Sequence, residues 1–259
     1  MYTHIKGVQI LISLLKQFNI SHVVLSPGTR NTALAGSIEN DPFFHCYSIV
    51  DERSAGYFAL GLSEALDEPV CVSCTAATAT CNYLPAMKEA YERNIQLVAL
   101  TADQNPYEMF HMEDQCIDQV DMFHGYVKLA VDVPKVMNDA DYWYCNRRMN
   151  EAFLELDHHG KGPIQINYHM SYDLNEISTY DVEELPVTRK IDRYEINADF
   201  AEFANMLSSK KRIMVVGGSE FTEDGKLRRA INTFTEKYNA VVIADTYANI
   251  CLLYTSDAA

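Results

Sequence analysis

The chain has 259 residues, 48% hydrophobic and 22% charged, a balance that supports a buried core and excludes an intrinsically disordered protein. Thirty-six acidic against 21 basic side chains give a formal net charge of -15. That charge excludes the nucleic-acid backbone and an anionic membrane as main partners, and any anionic ligand needs a local positive site.

Lys6 precedes an apolar run from Val8 to Leu15, which resembles the front of a signal peptide. No small-residue cleavage site follows, and Val8, Leu11, Ile12, Leu15 and Phe18 fall at helical spacing, so an amphipathic core helix is predicted. No apolar stretch is long enough to span a bilayer. The seven cysteines are odd in number and scattered, mostly in apolar runs, as reduced thiols of a cytoplasmic protein would be. Cys71 and Cys74 share a C-x-x-C, but on a strand that spacing sends them to opposite faces.

His22 to Leu25 reads as a short strand ending in Ser26-Pro27-Gly28-Thr29-Arg30-Asn31-Thr32, with a helix following to about Glu39. The same strand, loop and helix recur three times. Tyr47 to Val50 precedes Asp51, Val70 to Ser73 precedes Cys74-Thr75-Ala76-Ala77-Thr78, and Gln96 to Leu100 precedes Thr101-Ala102-Asp103-Gln104. A fifth strand is predicted from Tyr126 to Val131, a helix from Asp139 to Leu156, and a strand from Pro163 to Tyr168. This alternation predicts an α/β fold, a parallel sheet with helices on both faces. Pro85 falls inside the helical pattern from Ala77 to Arg93 and should kink or break it. Asp103 to Met122 has no clear period and reads as a long functional loop.

Parallel strands joined by helices end on one edge of the sheet, where ligands bind. Arg30, Glu52, Thr75, Thr78, Asp103 and Gln104 each follow a strand and are candidates for one site. Ordinary turn chemistry accounts for the small residues among them, less readily for Arg30 or Gln104. Glu52 opens a helix, where a carboxylate also serves as a cap.

From Asp173 to Asp192 the chain turns acidic and aperiodic, as an interdomain linker does. A second unit follows, with a helix from Asn197 to Ser208, a strand from Arg212 to Val216, Gly217-Gly218, a helix from Gly225 to Tyr238 and a strand from Ala240 to Ala244. The glycine pair lacks the dinucleotide G-x-G-x-x-G spacing and reads as a turn. Asp157-His158-His159 reads as a helix end, because adjacent positions do not converge on a metal. The last nine residues, 251–259, resemble a translated sequencing adapter and are expected to be foreign to the fold. The expected division is 1–178 as first domain, 179–192 as linker, 193–250 as part of a second, Rossmann-like α/β domain, and 251–259 as tail.

Ser26 to Arg30, Asp51 to Gly56, Thr75 to Asn82, Thr101 to Asp103 and Gly162 to Asn167 together resemble, in order, motifs of thiamine diphosphate-dependent enzymes. The nearest likeness is to the menaquinone-biosynthesis synthases that decarboxylate 2-oxoglutarate and add the product to isochorismate. The resemblance implies that residues 1–178 form a pyrimidine-binding domain in which Glu52 is catalytic. There the carboxylate bonds to the pyrimidine ring nitrogen and so helps the cofactor lose its thiazolium proton. It also implies that Thr75, Thr78, Asn82 and Gln115 meet the cofactor, and that Arg30, Gln104 and Asp114 meet the substrate. Mg2+ ligands and the diphosphate-binding half are expected outside this chain, in a homo-oligomer, and the chain alone is expected to be inactive. Thr75-Ala76-Ala77-Thr78 stands where the family usually has Thr-Ser-Gly-Thr, and Gln104 and Asp114 replace an arginine and an asparagine. Two other readings follow from the residues: another thiamine diphosphate-dependent 2-oxo acid decarboxylase or acetolactate synthase-like enzyme, and a non-catalytic α/β binding protein in which Glu52 only caps its helix.

Overall fold

A computed structural model describes residues 1–170, 173–194, 198–218 and 225–245. The chain divides into two units, Met1–Arg193 and Tyr194–Ala259. The first carries β1 (Tyr2–Thr3), α1 (Lys6–Gln17), β2 (His22–Leu25), α2 (Thr32–Glu39), β3 (His45–Ser48), α3 (Glu52–Leu66), β4 (Val70–Cys74), α4 (Thr78–Cys81) and α5 (Leu84–Glu92). It continues through β5 (Leu97–Asp103), β6 (Leu129–Val133), α6 (Asp139–Glu155), β7 (Ile164–His169), α7 (Leu174–Ile177) and β8 (Tyr180–Val182).

Six of these strands form one parallel sheet in the order β3-β2-β4-β5-β7-β6. A sheet covered on both faces favours strands that are largely apolar, and every residue of β4 and β5 is buried. On one face α1, α2 and α6 pack through Leu11, Leu14, Leu34, Ile38, Met149 and Phe153. Ala55, Ala59 and Leu60 of α3 and Tyr83, Met87 and Ala90 around α5 cover the other. Cys71 belongs to the first cluster and Cys74 to the second, as strand alternation requires. No helix among the described residues is long and apolar enough to cross a membrane.

Element limits depart from the sequence pattern where pairing decides them. The strand expected at Tyr47 to Val50 lies two residues earlier, paired with β2, and Val50 is left 77% exposed. β5 runs on through Thr101, Ala102 and Asp103, assigned to a loop by sequence, because it pairs with β7 as far as Asp103 and His169. β6 begins at Leu129 rather than Tyr126. Pro85 breaks the Ala77 to Arg93 pattern into α4 and α5 and sits in the first turn of α5, where its missing N–H costs nothing.

Residues 179–192, expected as a linker, fall within the first unit and bond to its other elements. β8 pairs antiparallel with β1. The Tyr180 hydroxyl donates to the Thr32 carbonyl at 2.8 Å, Thr188 shares a 2.6 Å hydrogen bond with Ser13, and the Ile191 amide donates to Asn150 Oδ1 at 2.7 Å.

The second unit holds α8 (Ala201–Ser208), β9 (Met214–Gly217), α9 (Gly225–Tyr238) and β10 (Val241–Ala244). The two strands pair in parallel across the α9 crossover. Asn197, the expected start of the first helix here, and the expected tail at 251–259 lie outside the described residues.

Candidate active site

The strand order reverses at β2: β3 lies on one side of it and β4 on the other. At such a switch point the loops leaving the carboxyl ends diverge and open a crevice. The loops after β2 and β4 meet here. The Arg30 amide donates to Thr75 Oγ1 at 3.1 Å, and the Asn31 side chain donates to the Ser26 carbonyl at 3.0 Å. A Cβ on Gly28 would stand 2.4 Å from that of Thr75, so the first loop can approach the second this closely only with glycine.

Arg30 is 5% exposed and lines a cleft of about 730 Å3 with Thr29, Gln104, Glu108, Glu113, Asp114 and Gln115. The sequence-predicted residues Arg30, Gln104, Asp114 and Gln115 are thus brought together. Gln104 is buried, and its carboxamide nitrogen donates to the carbonyls of Asp114 and, at 3.0 Å, of Gln115. Its donors therefore clamp the far end of the loop. Asp114 and Gln115 are themselves exposed.

Glu52 is half-buried at the first position of α3 and is not part of that cleft wall. The capping bond belongs to its neighbour: Asp51 accepts from the Ser54 amide at 2.7 Å, and that bond holds the Asp51 carboxyl below the usual range. Glu52 is thereby left uncommitted to the cap. Burial pushes the Cys74 thiol and the Tyr83 hydroxyl up, and the field of Glu52 adds a smaller rise to each. Thr78 and Asn82 are exposed and tied to each other, Asn82 Nδ2 donating to the Thr78 carbonyl at 3.1 Å.

Beneath the two loops lies a polar network of which the sequence reading singled out Asp103 but not Gln119, Asp132 or His169. Gln119, fully buried, accepts from the Ala77 amide at 2.8 Å and donates to the Ala102 carbonyl at 3.0 Å and to Asn167 Oδ1 at 2.8 Å. Asn167 Nδ2 in turn donates to Asp103 at 2.8 Å and Asp132 at 2.7 Å. His169 joins Asp132, at 2.9 Å, to the Gln104 carbonyl. Burial pushes the Asp103 carboxyl up. Burial also opposes charge on His169 and Asp132, but their mutual bond, aided by Gln104 and Asn167, raises the histidine and lowers the carboxylate. A local signal exists for part of this network. Gln165, Asn167 and His169 alternate with Ile164, Ile166 and Tyr168, a polar face on a buried strand. Gln119 carries no such pattern. His158, singled out beside His159, lies 3.0 Å from Glu155 at the end of α6.

Residues 5–122 match the family described as thiamine pyrophosphate enzyme, N-terminal TPP binding domain. The chain is 40% identical over 222 residues to the 2-succinyl-5-enolpyruvyl-6-hydroxy-3-cyclohexene-1-carboxylate synthase of Bacteroides fragilis, a match covering 84% of this chain and 40% of the relative. Proteins of the same name from Porphyromonas gingivalis and Staphylococcus aureus are 34% and 32% identical, over 96% and 95% of this chain and 44% and 43% of theirs. The chain therefore spans less than half the length of these curated relatives. Among solved structures, benzoylformate decarboxylase from Polynucleobacter necessarius shares the fold, with a TM-score of 0.56 at 21% identity over 96% of this chain and 44% of that one.

Proposed function

We propose, from the match of residues 5–122 to the thiamine pyrophosphate enzyme family through its N-terminal binding domain, that the protein is the front part of a synthase that decarboxylates 2-oxoglutarate and adds the product to isochorismate. The curated relatives' shared name supports the reaction. The observation that carries the reading is the cleft in which a buried Arg30 shares a wall with Gln104, Asp114 and Gln115. A guanidinium offers a fixed fork of donors suited to a carboxylate.

The residues fit one part of the cofactor. Glu52, Thr75, Thr78, Asn82 and Gln115 offer a carboxylate, hydroxyls and amides, a set that matches a pyrimidine ring and contains no cation for a diphosphate. In this reading Mg2+ and the diphosphate are held by another domain, supplied by a second subunit, as the family resemblance implies. Bound thiamine diphosphate supplies the nucleophile and the electron sink for decarboxylation. In this reading Glu52 shares a proton with the pyrimidine ring nitrogen, and the Asp51 cap holds its backbone in place for that. Arg30 orients the substrate carboxylate, Gln115 reaches into the reaction space, and Thr75 braces the Arg30 loop.

One observation favours a second substrate. Glu108, Glu113 and Asp114 set three carboxylates in the cleft against the one guanidinium of Arg30. A 2-oxo acid with fewer negative charges suits that balance better, as in an acetolactate synthase-like enzyme. The test is to read the parent gene past codon 250 and assay the encoded protein with thiamine diphosphate, Mg2+, 2-oxoglutarate and isochorismate. The reading requires isochorismate-dependent release of carbon dioxide. Release from pyruvate alone would move the assignment to the second substrate, and no release from any 2-oxo acid would remove the catalytic reading.

A further inference from the structure

Ala77 has φ +68° and ψ -128°. This is the mirror image of the extended basin, a region glycine enters freely and an L-residue with a Cβ does not. Nothing local favours that conformation for Ala77, so something must hold it. The Ala77 amide donates to Gln119 Oε1 at 2.8 Å, and the Ala77 carbonyl accepts from the Thr80 amide at 3.0 Å, starting α4. Gln119 is an unusually firm anchor: it is fully buried, and its nitrogen is fixed by the Ala102 carbonyl on β5 and by Asn167 on β7. The Gln119 carboxamide therefore cannot turn away from the Ala77 amide without breaking its bonds to two sheet strands.

We propose that Gln119 is a positioning residue of the active site, locking the 75–78 loop in a strained turn so that Thr75 faces the Arg30 loop and Thr78 faces solvent. The inference rests on the reading that this loop meets the cofactor. An alanine here is usable because Gln119 supplies, from 42 residues away in sequence, the constraint that a glycine would not need. The loop after β4 is thus set by the sheet rather than by its own sequence.

Hydrogen exchange on the chain itself tests this without cofactor. The Thr80 amide reports the turn, and the Val98 to Leu100 amides of β5 report the sheet. In Gln119→Leu, exchange at Thr80 should rise about tenfold while β5 is unchanged, a local rather than a global opening. In Gln119→Leu with Ala77→Gly, Thr80 should return to within about twofold of the parent, since glycine adopts the turn unaided. A merely structural glutamine would give equal acceleration in β5 and no rescue by glycine, and either result overturns the proposal. Ala77→Val is made alongside, with Gln119 intact, in case Gln119→Leu does not fold. A β-branched residue resists positive φ, so Thr80 should again exchange about tenfold faster, and an unchanged rate would equally overturn it. Because these readouts need no catalysis, they can fail while the cofactor reading stands, and the reverse.

Discussion

The Arg30 amide and the Thr75 hydroxyl, 45 residues apart in sequence, are joined by a 3.1 Å hydrogen bond across the point where the sheet changes direction. The bond draws together the loops that carry the arginine and the two threonines of the candidate site. It depends on Gly28, whose absent side chain leaves room for Thr75. Gly28→Ala should destabilise the first unit by about 1–3 kcal/mol, the usual cost of overpacking, because backbone on one side and a β-branched residue on the other leave little room to relax. Urea unfolding of the two proteins measures it, and an unchanged midpoint would show that the loops are not in contact.

Asp51 and Glu52 are adjacent carboxylates with different duties. Asp51→Ala removes the bond to Ser54 and should lower the unfolding midpoint, whereas Glu52→Gln should leave it nearly unchanged. In the completed enzyme the order reverses. Glu52→Gln should lower kcat by at least about 100-fold, as removal of a group acting in proton transfer does. Equal kcat in the two variants would leave helix stability as the better account of Glu52.

His169 should make stability depend on pH. Its folded pKa is raised: burial opposes the charge, but the bonds to Asp132 and the Gln104 carbonyl, with the fields of Asp132 and Asp103, outweigh it. A raised value means that the contribution is full below the unfolded value of about 6.5 and is lost as pH climbs through the folded value. Asp132 has the opposite sign, contributing above the ordinary carboxylate range and losing that contribution in acid. Asp103, raised by burial, opposes it there. Urea midpoints measured upward from pH 6.5 should fall more steeply in the parent than in His169→Gln. Parallel slopes would refute the ion pair.

Gln104→Met keeps the length of the side chain and removes both donors to the 114–115 carbonyls. Those carbonyls lie on exposed residues and can turn to water, so the loss in global stability should be only about 1 kcal/mol. Protease cleavage between residues 105 and 115 should nonetheless rise severalfold. A cleavage rate equal to the parent's would mean that the loop is held by something else.

The sequence by itself determined the layered architecture. Apolar runs such as Val70–Cys74 and the polar-faced helices between them have one low-energy arrangement, strands buried in parallel between helices, and the loop residues Arg30, Glu52, Thr75 and Thr78 follow onto one edge. Local chemistry also marked Pro85 as a helix boundary. Only the tertiary structure decided where strands end, because Asp103 belongs to β5 through its pairing with His169 rather than through its own propensity. It alone separated the cap of Asp51 from the uncommitted Glu52, a choice settled by which carboxylate reaches the Ser54 amide. It alone supplied Gln119 as well. A glutamine in an aperiodic stretch carries no local signal, and its importance comes from three hydrogen bonds to Ala77, Ala102 and Asn167. Such bonds join positions distant in the chain, and neither hydrophobic period nor turn propensity records them.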